Sequence, residues 1–300
     1  MDWLAENTPR IVVQLLSGIS VGVLLFLVAS GLSLIFGVSR VVNFAHGALY
    51  MVGAYLAYTI MRTVPGSGLY YWLALALAPI GVAVVGLLIE VLFLRRIYQA
   101  EHIYQLLLTI GLAFVIGDIV RIIWGPENRS VTRPEFLTAS LPILGQPFPS
   151  YNLVILGLGP LVLLALWWVF YRTRWGMLVR AATWDRDMLG ALGVNTPLVF
   201  TTVFVFGAWL AGLGGALVAP IQGLAPGMDA AVIILAFVVV VIGGLGSFFG
   251  TLVSAILIGV VQGLAVLNPF LRHYDLVLPF ALMALVLILR PVGLFGRPES

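Results

Sequence analysis

Asn43 and His46, in the run Asn43-Phe44-Ala45-His46-Gly47, stand three positions apart at the start of an otherwise apolar stretch, 41–61. On a helix that spacing puts both side chains on one face. Polar groups at membrane depth are costly and line a cavity or a pathway; the alternative is an interfacial helix start with Asn43 as its N-cap. Asp229 opens a strongly apolar run after Pro226-Gly227, where a carboxylate either favours a helix N-terminus or contributes to a pathway. Asn43, Phe44, His46 and Asp229 are thus the candidate pathway residues. Their chemistry is hydrogen bonding and charge, with no bond making. Asp118 and Arg121 are spaced to pair locally near the end of another apolar run, and Glu90 can reach Arg95 or Arg96.

Covalent chemistries find little support. Gly18-Ile19-Ser20-Val21-Gly22 has the spacing of a nucleophilic serine elbow, but it lies mid-helix without a strand before it, so Gly18 and Gly22 read as a small-residue helix contact. Gly244-Leu245-Gly246 lacks the third glycine of a dinucleotide loop, since position 249 is Phe. His46, His102 and His273 are isolated, so no metal site is expected. All 15 basic residues are arginine and cysteine is absent, which removes the P-loop, Schiff-base and thiolate chemistries. No cofactor and no nucleic-acid partner are expected, because the net charge is only +3 and no basic run exists.

The elements that must position these residues are membrane helices. Only 9% of the 300 residues are charged against 62% hydrophobic, with a mean hydropathy of +1.13. The N-terminus lacks a cationic leader, so the first apolar run is expected to remain as a span. Runs at 11–36, 69–93, 103–124, 152–171, 199–219, 229–243, 249–267 and 275–289 read as helices. The stretch 41–61 is either a full span or a broken, re-entrant one. The expected fold is an all-α membrane protein, a single domain over 1–300 forming a polytopic bundle of eight or nine transmembrane segments. Residues 125–151, rich in proline, form one external loop, and Pro65-Gly66-Ser67-Gly68 makes a turn. Arg95, Arg96, the four arginines of 172–186, Arg290 and Arg297 fall on one side, which is then the cytoplasm and holds the C-terminus. Gly207, Ala211, Gly215 and Ala219 recur every four residues, as do Thr251, Ala255, Gly259 and Gly263, spacing that lets helices approach closely.

The most charged stretch, about 172–198, is too polar to span. Within it 180–193 reads as a short amphipathic helix whose ridge Met188, Leu189 and Leu192 suits a partner's groove or a lipid surface.

Four stretches resemble the permease subunits of ATP-binding-cassette importers for branched-chain amino acids, of the LivH type. They are GLSLIFGVSRVVNFAHG from Gly31 to Gly47 continuing to MVGAY at 51–55, RAATWDRDMLGALG at 180–193, FGAWLAGLGGA at 206–216, and VIGGLGS at 241–247 with Gly250. The resemblance implies an importer permease in the bacterial inner membrane. It implies a second, LivM-like permease subunit, two ATPase subunits that use the ATP, an external solute-binding protein, and no enzyme activity in this chain. It makes 180–193 the coupling segment, with Ala182, Asp185, Asp187, Met188, Leu189, Leu192 and Gly193, and makes Gly207, Ala211, Gly215, Gly246 and Gly250 packing positions. Related permeases carry urea, short amides or other small solutes. An ion-coupled secondary carrier is the reading from a different class, for which only Asp118 and Asp229 come near the required intramembrane carboxylates.

Overall fold

A computed structural model of the chain describes residues 2–65 and 67–296; Gly66 of the predicted turn and Arg297 of the arginine tally lie outside the described residues. The elements are α1 (Asp2–Ser39), α2 (Ala45–Met61), α3 (Gly68–Leu92), α4 (His102–Trp124), a hairpin of β1 (Ser140–Ile143) and β2 (Gln146–Pro149), α5 (Ser150–Arg172), α6 (Arg174–Trp184), α7 (Arg186–Ala191), α8 (Thr196–Gln222), α9 (Met228–Gly243), α10 (Phe248–Ala265), α11 (Pro269–Arg272) and α12 (Leu278–Leu289). Among the described residues six helices are long and apolar enough to cross a membrane, and α9 and α12 are shorter apolar helices.

The bundle is organised around α8. The Asn195 side chain caps its start by accepting from the Leu198 N–H at 3.1 Å, and Gly223, at φ +71°, ends it. Small residues on several sides of α8 admit α1, α2 and α3 to backbone contact. Gly207 lies against Gly31 and Ile35, Gly212 against Gly53 and Val82, and Gly215 against Tyr50 and Ala54, while Ala211 and Ala219 are fully buried. A second seam joins α1 to α10, where Gly18 and Gly22 meet Ala255, Gly259 and Gly263. The G-x-S-x-G pattern is therefore a packing seam, with Ser20 donating to the Leu16 carbonyl of its own helix. The Gly243–Ser247 turn depends on glycine in a different way: a Cβ on Gly250 would strike the Gly243 carbonyl, and Gly246, at φ +78°, lies against Gly37.

Hydrogen bonds fix the helix directions. At one end of α3 the Tyr71 hydroxyl donates to the Tyr151 hydroxyl, which donates to the Leu217 carbonyl at 2.8 Å; at the other end Glu90 meets Thr201. Hence α3 and α8 are antiparallel.

The loop after α4 contains structure that its prolines concealed. Leu144 and Gly145, both at positive φ, make a two-residue turn that pairs Ser140 with Pro149 and Leu141 with Phe148. Pro142, Pro147 and Pro149 all fall at non-hydrogen-bonded positions of this register, where a missing N–H costs nothing.

The seams give a direct prediction. Gly215→Val, whose new atoms meet the α2 backbone, should destabilise the bundle by about 1–3 kcal/mol or prevent its folding. Gly157→Ala, which meets nothing within 4 Å, should leave melting unchanged; thermal unfolding of the detergent-purified chain distinguishes them.

Candidate functional site

The stretch 41–61 is not one continuous helix. Arg40, at φ +55°, turns the chain out of α1, residues 41–43 run without regular structure, and α2 starts only at Ala45. The Thr109 hydroxyl of α4 donates to the Val42 carbonyl at 3.2 Å, satisfying one backbone group that no helix supplies. At the far end Trp124 Nε1 donates to Thr59 Oγ1 at 2.8 Å. Residues 42–59 therefore run alongside α4 from Thr109 to Trp124, about 22 Å at helical rise.

This break alters the sequence-based picture of Asn43 and His46. Asn43 precedes the helix, so the two do not share a helix face. Asn43 does not cap α2 either, because the N-cap position belongs to Phe44 and carries no side-chain cap. Both residues are nonetheless completely buried. His46 Nε2 lies 2.9 Å from the Val28 carbonyl, which can only accept, so Nε2 carries the proton and Nδ1 is left as an acceptor. Neither His46 Nδ1 nor either side-chain atom of Asn43 has a hydrogen-bond partner among the described residues. Phe44 is half-buried with its ring 5.0 Å from that of Phe237 on α9.

Asp229 arrives at the same place from the opposite direction. The segment 223–227 leaves α8 without helical structure; Leu224 bridges Arg129 beyond the end of α4, and α9 then starts at Met228 with Asp229 beside Gly47. The half-buried Asp229 carboxylate faces the N–H groups of Asp229 and Ala230 in that first turn. Two interrupted segments thus bring the start of α2 and the start of α9 together inside the bundle, an arrangement that presents two positive helix ends and irregular backbone at one depth.

The polar segment 172–198 folds as two helices rather than one amphipathic helix over 180–193. Thr173 caps α6 through the Gly176 N–H at 3.1 Å. Asp185 leaves the helical conformation to cap α7, accepting from Asp187 N–H at 3.0 Å and Met188 N–H at 2.9 Å. The ridge is divided accordingly. Leu189 and Ala182 are buried in the core, whereas Met188 is 60% and Leu192 75% exposed. Trp184, at 73%, joins them as an exposed apolar residue that sequence spacing did not single out. Asp187 points outward and pairs with Arg186, at 3.8 Å, and Gly193 at φ +83° closes the unit.

A further polar cluster lies at the same end. Glu90 is fully buried; its carboxylate accepts from Thr201 at 2.8 Å and from Tyr98 at 3.3 Å and pairs with Arg95 at 3.6 Å, while Arg95 also donates to Thr201 at 2.7 Å. Burial, then the neighbouring carboxylate, hold the Tyr98 hydroxyl above the usual tyrosine range. The sequence offered Arg95 or Arg96 as the partner; Thr201, 111 residues away, was invisible to spacing.

Long apolar helices, interrupted segments meeting within the bundle and polar units held at one end define a multi-pass helical membrane protein. Residues 14–287 match the family described as branched-chain amino acid transport system / permease component. The chain belongs to that family. It is 29% identical to the high-affinity branched-chain amino acid transport system permease protein LivH of Salmonella typhimurium, over 99% of both chains. It is 28% identical to the corresponding permease protein BraD of Pseudomonas aeruginosa, over 95% of this chain and 96% of the other. The permease protein LivM of Escherichia coli is also similar, 28% identical over 90% of this chain and 67% of its own length. No solved structure matches.

Removing one member of the Glu90 cluster should be costly, because the others stay in place. Glu90→Ala should lower stability by about 1–3 kcal/mol, a figure reduced because Arg95 is partly solvated, and Glu90→Gln, which keeps hydrogen-bonding capacity, by less. Melting curves of the two variants test the order.

Proposed function

We propose that this chain is a permease subunit of an ATP-binding-cassette importer for branched-chain or related small amino acids in a bacterial cytoplasmic membrane. The observation that carries the reading is the match to a transport-permease family along nearly the whole chain. In this reading the chain crosses the membrane nine times: the six long helices, the interrupted segment 40–61, the segment 223–243 and α12. The N-terminus is then outside and the C-terminus cytoplasmic. The hydrogen bonds of Leu294 and Phe295 to the end of α9 support this, as does the concentration of Arg40, Arg95, Arg96 and the four arginines of 172–186 at one end. LivH and LivM are two permease proteins of one named system, and likeness to both supports pairing with a second permease subunit.

ATP is used by two partner ATPases that dock on 172–198, and an external binding protein delivers the solute. Movement at the docking helices reaches the path by rocking of packed helices, giving alternating access. The chain itself performs no covalent step. α6 and α7 supply the contact, with Met188 and Leu192 entering the ATPase groove and Leu189 anchoring α7 beneath them. Asn43, Phe44, His46 and Asp229 line or support the path where α2 and α9 begin.

Replacing both Met188 and Leu192 with Asp should abolish amino-acid uptake while the membrane domain still assembles, since both side chains are exposed. Leu189→Asp is the contrasting variant: it should lower folded yield, because that side chain is buried. Normal uptake in the double variant excludes the coupling role. Asn43→Leu should reduce uptake severalfold with intact expression, as measured by radiolabelled L-leucine transport in cells. Affinity purification separates the importer from an ion-coupled carrier: two ATPase chains accompany the first and none the second.

A further inference from the structure

Along α5, Leu156, Pro160, Leu163, Trp167 and Tyr171 recur at steps of four or three residues and so share one helix face. The first three, with Val23 and Phe26 of α1 and Leu252 of α10, line an open apolar cavity of about 530 Å³. Toward the C-terminal end of α5 the same face turns aromatic and then basic. The exposed rings of Trp167 and Tyr171 lie 6.3 Å apart. The Arg172 guanidinium sits over Trp167 at 5.8 Å, and that of Arg180 over Tyr171 at 5.1 Å. Arg180 reaches the end of α5 because α6 folds tightly back: a side chain at Gly176 would strike the carbonyls of Val169 and Phe170, and Trp175 Nε1 donates to Thr202 Oγ1 of α8 at 2.9 Å. Among the described residues the ion pairs are Glu90–Arg95, Asp118–Arg121, Glu127–Arg129 and Asp187–Arg186, so Arg172, Arg174 and Arg180 belong to none. Arg180 Nη1 is moreover buried, with no hydrogen-bond acceptor among those residues. A buried guanidinium N–H is costly until an acceptor reaches it.

We propose that the corner of α5 and α6 binds an anionic phospholipid, with its phosphate held by Arg172 and Arg180 and one acyl chain lying along the α5 face in the cavity. The order of the parts is that of a lipid: charge at the helix end, amphipathic rings next to it, and an apolar cavity toward the middle of the span. Leu163 and Tyr171 are eight residues apart, about 12 Å along the helix axis, so one chain connects the two regions. Guanidinium groups present the planar fork that suits phosphate oxygens, and Arg180 Nη1 has an N–H to give. Charge complementarity selects the headgroup. A zwitterionic lipid brings its own cation beside guanidiniums that no carboxylate neutralises, whereas an anionic one does not. A free phosphate uses the arginines and leaves the cavity idle; a partner helix fills the cavity and leaves the arginines unanswered. The importer reading makes this end cytoplasmic, the side on which anionic lipids and basic residues attract one another. The proposal adds a ligand to that reading and does not depend on it.

The test uses the full chain purified in detergent with the subunits that accompany it, and counts bound lipid by native mass spectrometry. Dioleoylphosphatidylglycerol should be retained about tenfold better than dioleoylphosphatidylcholine, the order of effect that two arginines at a membrane surface supply. Arg172→Gln combined with Arg180→Gln should remove most of that preference, and lysine at both positions should recover part of it. Arg96→Gln combined with Arg290→Gln removes the same charge from two other exposed arginines and should leave the preference intact. Leu163→Trp, whose ring enters the cavity, should weaken retention severalfold, and glycerol phosphate, which has no acyl chain, should not compete. Equal retention of the two lipids by the unsubstituted protein overturns the inference, and that measurement needs no variant to fold. An unchanged preference in the Arg172 and Arg180 variant, or an equal loss in the Arg96 and Arg290 variant, also overturns it. Competition by glycerol phosphate assigns the arginines to a free phosphate, and departure of an accompanying subunit from Leu163→Trp assigns the cavity to a partner helix; either result overturns it too. No transport is measured, so failure of the importer reading and failure of this inference are read separately.

Discussion

Within a bilayer the hydrophobic effect does not drive helix against helix, so how close two backbones can come decides how well they pack. The bundle depends on that constraint at α8. Its small residues, among them Gly207, Gly212 and Gly215, face three different helices, and each removes the side chain that would hold a neighbour away. The seam of Gly18 and Gly22 with Gly259 and Gly263 extends the same device to α10. With α1, α2, α3 and α10 fixed by these contacts, the breaks at 40–44 and 223–227 become affordable. Irregular backbone is tolerated at membrane depth because protein surrounds it and donors such as Thr109 reach it.

The two breaks are related in form. One segment is irregular before its helix and leads into α2; the other leaves α8 irregularly and leads into α9 in the opposite direction. Their helix starts meet at Gly47 and Asp229, where a larger residue at 47 would strike the α9 backbone. Fully buried Asn43 and His46 then lie next to the junction with hydrogen-bonding capacity unused among the described residues. Uncommitted polar capacity of this kind costs stability that the glycine seams must offset.

The polar segment of α6 and α7 is built differently. Asp185 interrupts a run that could have continued as helix, and the interruption gives α7 its own direction. Leu189 is held in the core so that Met188 and Leu192 are presented outward on a fixed support. The Glu90 cluster anchors the adjoining ends of α3 and α8 through Arg95, Thr201 and Tyr98, so the same end of the bundle is braced twice.

Much was legible in the sequence. Hydropathy located the long helices, four-residue spacing marked the faces of α8 and α10, and the motif from Gly31 to Gly47 carried the family likeness, because apolar length, small-residue periodicity and local motifs are written in consecutive residues. The fate of 41–61 was not legible: whether a chain starting Val-Val-Asn-Phe is helical depends on a Thr109 hydroxyl contributed by another helix. The break at Asp185 was hidden because its side chain can serve either as a charged helix residue or as a cap. The hairpin at 140–149 was hidden by prolines whose tolerance depends on register. Glu90 with Thr201 is a partnership across elements. The sequence by itself determined a membrane bundle, its small-residue faces and its family; only the tertiary structure decided where helices stop and which charges meet, because those outcomes turn on hydrogen bonds and fields supplied by residues far away in the chain.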